Sequence, residues 1–125
     1  MMRIKRKLLL EGPKGPVQVE ALFDTGATFT VIRKSIAEKI APLGPPIREK
    51  VTLANGKTQL SIEGSVWFWT VIEEVCRISD IAHVIEQLAE EVIIGVETME
   101  RYGIELKPKT NEIIVKKCDT MEELF

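Results

Sequence analysis

A carboxylate set between two apolar strands constrains this chain more than any other feature. The stretch V-E-A-L-F-D-T-G-A-T-F-T-V-I, residues 19–32, reads as a buried strand, a tight turn and a second buried strand, with Asp24 at the junction. Just before it, Val17, Val19, Ala21 and Phe23 alternate with Gln18 and Glu20, the period of a strand with one buried face. Residues 28–32 are β-branched and aromatic and predict a strand of their own. An acid at the end of an apolar strand is costly to ionise unless something hydrogen-bonds it. Thr25 offers a hydroxyl and an N–H; Gly26 offers an N–H and a backbone path closed to other residues. The turn can therefore hold a carboxylate with its oxygens facing outward. Only three of the 19 acidic residues are Asp (Asp24, Asp80 and Asp119), so the chain seldom uses Asp where a surface acid would serve. The plain alternative is an ordinary turn residue, since Asp-x-Gly turns are common.

The rest of the chain is punctuated in the same style. Residues 2–10 and 16–23 predict two strands joined by the loop E-G-P-K-G-P. Ser35 with Glu38 three positions on has the form of a capping box and predicts a short helix, ended by P-L-G-P-P at 42–46. Residues 48–63 read as a hairpin turning at Asn55-Gly56. Residues 65–72 predict a strand with Trp67 and Trp69 on one face and Val66, Phe68 and Thr70 on the other. The Trp face is expected to pack in the core or in a dimer contact rather than to stack a ligand. Residues 75–85 read as a further strand, with a helix as the alternative, and V-I-I-G at 92–95 as a short buried strand. A short helix over 97–103 closes at a glycine, a last hairpin turns around K-P-K-T-N, and the tail holds a helical turn capped by Asp119 or Thr120. The sum is about eight strands and two short helices, a mostly β domain.

Length and composition narrow the function classes. The 125 residues suit one domain, taken as 1–125 with a core over about 17–115 and a tail over 116–125. A formal net charge of −2 gives no support to a nucleic-acid or membrane-surface partner, and the run Arg3, Lys5, Arg6, Lys7 reads as the outer face of a strand. No apolar run reaches the length of a membrane span, and the first ten residues lack a signal-peptide core. Cys76 and Cys118 are expected to be separate buried thiols in a cytoplasmic protein. With His83 as the sole histidine, no metal site and no cofactor are expected, and His83 itself reads as structural.

A-L-F-D-T-G-A-T-F-T-V-I resembles the catalytic loop of the retropepsin-like aspartic proteases, the retroviral proteases and the related domains of DNA-damage-inducible proteins. V-T-L-A-N-G-K-T-Q-L-S-I-E-G, residues 51–64, is similar to their flap hairpin. E-E-V-I-I-G-V-E-T-M-E-R-Y-G-I-E-L, residues 90–106, is similar to the strand and helix that back the loop. The resemblance implies a single-domain closed β-barrel of the retroviral-type acid protease fold. It implies Asp24 as the catalytic residue, with Thr25, Gly26 and Ala27 supporting the loop. Leu53, Ala54, Asn55, Gly56 and Lys57 fall at the flap tip, and Ile94 and Gly95 behind the loop. It departs from retroviral members at Val96 and Glu97, where an arginine and an acid or amide are usual, and in having one glycine at the flap tip.

Chemistry adds a consequence. Hydrolysis by an activated water needs one carboxyl to take a proton and another to give one, and two carboxyls about 3 Å apart do this by sharing a proton. This chain carries one Asp-Thr-Gly. The expected enzyme is therefore a two-fold homodimer, an aspartic endopeptidase with Asp24 of each chain at the axis, acting on peptide or protein held in extended form. The alternative is a non-catalytic peptide-binding or dimerisation module of the same fold.

Overall fold

A computed structural model of the chain describes residues 1–52 and 56–118. Among the described residues the elements run β1 (Arg3–Leu10), β2 (Val17–Asp24), β3 (Val31–Arg33), α1 (Lys34–Ile40), β4 (Lys50–Thr52) and β5 (Gln59–Ser61). They continue with β6 (Gly64–Ile72), β7 (Cys76–Ile85), β8 (Val92–Ile94), α2 (Val96–Tyr102), β9 (Ile104–Lys107) and β10 (Glu112–Val115). The fold is mostly β with two short helices, as the alternating apolar patterns require.

Six strands form one sheet in the order β1-β2-β8-β3-β7-β6. β1 and β2 are an antiparallel pair in which Leu8, Leu10, Val19, Ala21 and Phe23 point into the core while Arg3, Lys5 and Lys7 point out. β8 lies parallel to β2, with Phe23 opposite Ile94, and antiparallel to β3. This places the end of β2, the start of β3 and the end of β8 side by side, and the loop that leaves Asp24 rests on the residue after Ile94. β6 and β7 pair antiparallel over their length, so residues 76–85 are strand and not helix. Their inner face, with Val66, Phe68, Ile78 and Ala82, is fully or almost fully buried. Each large apolar side chain so buried contributes about 1.5–3 kcal/mol.

The sheet is not a closed barrel. Closure needs a continuous staggered ladder between the edge strands. Here, among the described residues, the outer edge of β6 is met by two isolated bridges, Glu11 to Trp69 and Gly44 to Ser65. Glu11 and Trp69 exchange N–H···O bonds of 2.8 and 3.0 Å, but β1 ends at Leu10 and the chain turns away, so the edges touch at a point. The molecule is an open half-barrel.

Other expectations are corrected locally. α1 begins at Lys34 with Arg33 in the N-cap position and no side-chain cap, so Ser35 lies inside the helix and the capping box does not form. β3 begins at Val31 rather than at residue 28, because residues 28–30 serve the turn that follows Asp24. Trp67 and Trp69 face outward; Trp67 is exposed, and Trp69 is covered by the Arg77 guanidinium 4.1 Å from its ring centroid. Neither is a core residue. Cys76 and Cys118 are not separate thiols but a disulfide, with Cα atoms 5.4 Å apart. Residues past β10 run back along the last turn of α2, Lys116 donating to Gly103 O and Lys117 to Tyr102 O, and this return carries Cys118 to the start of β7. The free-thiol argument for a cytoplasmic location goes with that pairing. No described helix is long and apolar enough to cross a membrane. The helical turn expected around Asp119 and Thr120 lies outside the described residues.

Candidate active site

Asp24 is the last residue of β2 and is 4% exposed. The chain reverses at once: Ala27 N–H donates to Asp24 O at 3.1 Å, closing a four-residue turn. Within that turn Gly26 N–H donates to Asp24 Oδ1 at 2.7 Å, the Asx arrangement in which a side chain mimics a backbone turn. The Gly26 amide thus meets the Asp24 carboxyl inside one chain. A Cβ at Gly26 would sit 3.1 Å from Asp24 Oδ1, a tight approach, and 2.6 Å from Met1 Sδ, the far end of an exposed side chain that can move aside. Asp24 Oδ2 faces the Arg3 side chain, with Nε at 3.3 Å.

The loop is held from behind by backbone. Val96 N–H donates to Ala27 O at 2.7 Å and Glu97 N–H to Thr28 O at 3.1 Å, so the opening amides of α2 clamp the turn. The arginine that retroviral members carry at position 96 is not required for that clamp. Gly95 makes the approach possible. A Cβ on it would lie 2.6 Å from both the carbonyl carbon and the oxygen of Phe29, backbone atoms that cannot move aside cheaply. Ile94, before it, is fully buried in the main core.

Three residues that the sequence did not single out complete the support. Gly95 N–H donates to Thr30 Oγ1 at 3.2 Å, and Thr30 Oγ1 and Thr98 Oγ1 are 2.9 Å apart. Thr98 Oγ1 donates to Asp80 Oδ2 at 2.6 Å. Because a hydroxyl has one proton to give, Thr30 must donate to Thr98. Asp80 Oδ1 takes the Ile81 N–H at 2.8 Å and lies 3.7 Å from Arg101. Asp80 cannot replace Asp24 as an acid in the groove; it is a buried anchor. Its signal in the sequence was position: Cys76, Ile78, Asp80 and Ala82 share the inward face of β7, and an acid on such a face must have partners.

In front of the turn lies a groove of about 710 Å³, lined by Asp24 and by the apolar side chains of Leu22, Phe29, Val31, Val51 and Ile93. Arg3 and Lys50 also line it. Its far wall is the β4–β5 hairpin, seated through Val51 and Ile62 on a second apolar cluster with Val31, Ile85 and Leu88. Thr52 pairs with Gln59, so the hairpin register is centred between positions 55 and 56, where the sequence placed the turn. Gly56 is exposed with φ +73°, a left-handed conformation that suits glycine, and Lys57 beside it is exposed. Leu53, Ala54 and Asn55 lie outside the described residues. Among the described residues no cluster of His, Cys, Asp or Glu is placed to hold a metal ion.

His83 sits behind the loop, 7% exposed, its ring edge-on to Phe29 at 5.5 Å between centroids. Arg48 covers the same Phe29 ring at 3.9 Å. Burial, and then the Arg48 charge, push the His83 pKa below its usual value; Asp80 and Glu97 oppose them.

Comparison with known proteins agrees with this geometry. A family model described as aspartyl protease matches residues 10–68, from the end of β1 through the Asp24 turn and the hairpin into β6. The chain superposes on the crystal structure of the retroviral protease-like domain of Ddi1 from Leishmania major with a TM-score of 0.71. That match covers 96% of this chain and 93% of the other at 20% identity, which speaks for the fold. No curated protein sequence matches. Asp-Thr-Gly lies in the segment that the aspartyl protease model matches, and the half-barrel fold is shared along nearly the whole chain with that retroviral protease-like domain; together they support a retropepsin-like family.

Proposed function

We propose that the protein is a homodimeric aspartic endopeptidase in which two Asp24 carboxyls, one from each chain, activate a water between them. The observation that carries this reading is the buried Asp24 turn opening onto a groove lined both by apolar side chains and by the charged Arg3, Lys50 and Glu90, in a chain that supplies one such acid. In the reaction the ionised carboxyl takes a proton from the water while its protonated twin donates to the substrate carbonyl oxygen. The water oxygen bonds to the carbonyl carbon; as the C–N bond then breaks, the proton held by the dyad passes to the departing amine and one hydroxyl of the intermediate returns its proton to the ionised carboxyl, re-forming C=O and the singly protonated dyad. Thr25, Gly26 and Ala27 keep the turn in shape. Extended peptide lies as an added strand between the groove floor and the hairpin tip at residues 53–57, with main-chain hydrogen bonds for affinity and apolar walls selecting hydrophobic side chains at the cut.

Asp24→Asn tests this directly. The expected result is loss of cleavage of an unstructured protein at mildly acid pH, on the order of 10³-fold, with fold and dimer retained. A pepstatin-type inhibitor should block the parent. Undiminished cleavage by the Asn variant would remove Asp24 as the catalyst. The Arg3–Asp24 ion pair favours one other reading, a peptide-binding module without turnover. That reading predicts no cleavage by the parent at any value across roughly pH 3 to 7, with peptide binding unchanged in the Asn variant.

A further inference from the structure

The Asp24 turn is already covered by the chain's own first residues. Met2 N–H donates to Thr25 Oγ1 at 2.7 Å, and Thr25 N–H donates to Met2 O at 2.9 Å. The Thr25 hydroxyl donates back to the same carbonyl at 3.3 Å. Arg3 stands opposite Asp24 in the β1–β2 register and places Nε 3.3 Å from Oδ2. The Met1 thioether lies against Gly26, with Sδ 2.6 Å and Cε 2.9 Å from where a Cβ would be. The hydroxyl of Thr25, the outer oxygen of Asp24 and the face of Gly26 are thus all engaged within one chain.

We infer that residues 1–3 form an autoinhibitory latch, which must leave the Asp24 turn before a second copy of this chain can complete the site. The inference rests on the dimeric reading proposed above. A hydroxyl has a single proton, and that of Thr25 is spent on Met2, so it is available to a second chain only after letting go. Arg3 Nε, 3.3 Å from Asp24 Oδ2, occupies the outward oxygen that a second carboxyl must approach to share a proton. The latch is built to open. The Arg3 side chain is 54% exposed, and ion pairs of that kind are worth little, so release is within reach of a protein–protein contact.

The test is self-association of the full chain by sedimentation velocity, for the parent, Arg3→Ala, Arg3→Lys and Met2→Pro, with hydrogen exchange of the Thr25 amide as a second readout. Met2→Pro removes the N–H given to Thr25 Oγ1 and leaves Arg3 in place. Each dimer releases two latches, so a fivefold gain per latch makes Arg3→Ala about 25-fold tighter in dimer dissociation constant. Met2→Pro should tighten it in the same direction, Arg3→Lys should stay near the parent, and the Thr25 amide should exchange faster in Arg3→Ala than in the dilute parent. A parent that dimerises while Arg3→Ala and Met2→Pro associate no more tightly would overturn the latch and leave the dimeric reading standing. Absence of self-association in the parent and every variant would overturn the dimeric reading itself, and the latch with it.

Discussion

At the scale of single residues, the same few groups serve the site and the stability of the loop beneath it. His83 is the clearest case. Its Nδ1 is buried, and among the described residues it has no hydrogen-bond partner, while Arg48 adds a positive charge nearby. Asp80 and Glu97 offset this in part. The folded chain therefore binds a proton at His83 less readily than the unfolded chain. With the folded pKa below the unfolded value of about 6.5, the stabilising effect is complete above that value and is lost as pH falls through the folded pKa. The denaturant midpoint of the parent should drop between about pH 7.5 and 5.5, and His83→Gln should flatten that drop. Parallel curves for the two proteins would assign the pH dependence to other groups. For the dyad proposed above the consequence is a compromise, since a shared proton favours mildly acid conditions where His83 begins to weaken the fold.

At the scale of elements, the loop after β2 is fixed by α2 and β7 together, and the hydroxyl of Thr98 is the link between them. Replacing it by Val leaves Asp80 Oδ2 without its donor and Thr30 without its acceptor, both buried. Thr98→Val should cost about 2 kcal/mol by urea denaturation, and Thr98→Ser should restore most of it. An unchanged midpoint for the Val variant would show that the chain of hydroxyls is not structural. Much of this region could be read beforehand. The acid-glycine turn, the strand at residues 76–85, the hairpin register and the glycine that closes α2 all follow from local rules: alternation, turn chemistry and the left-handed φ of 62° at Gly103. What escaped is what depends on partners distant in sequence. Thr30 and Thr98 are ordinary threonines until the fold brings them 2.9 Å apart. Ser35 has the right spacing for a cap, but the helix starts two residues earlier than that cap would set it, because β3 runs directly into it and Arg33 takes the N-cap position. Glu38 then has no cap to complete.

At the scale of the whole molecule, closure and cross-linking were the two global properties that no local pattern could supply. Whether a sheet closes depends on the twist and stagger summed over six strands, and here that sum brings Glu11, just past the end of β1, to β6 at a single bridge. Whether two cysteines pair depends on where the chain returns after β10, which a separation of 42 positions conceals. The pairing has a measurable consequence. A cross-link closing a loop of that length restrains the unfolded chain by about 3–4 kcal/mol in the loop-entropy account. Reduction should therefore lower the melting temperature by about 10 °C, and the double variant Cys76→Ala, Cys118→Ala should melt where the reduced parent does. The groove should not notice. Cys76 begins β7 and His83 lies near its other end, a separation of about 23 Å along an extended strand, and Cys76 is not among the residues that line the groove. Below the melting transition, reduced and oxidised protein should cleave substrate equally well. If reduction instead silenced cleavage while the fold remained intact, the disulfide would be acting on the Asp24 turn through the sheet, and its role would have to be reassigned from stability to control.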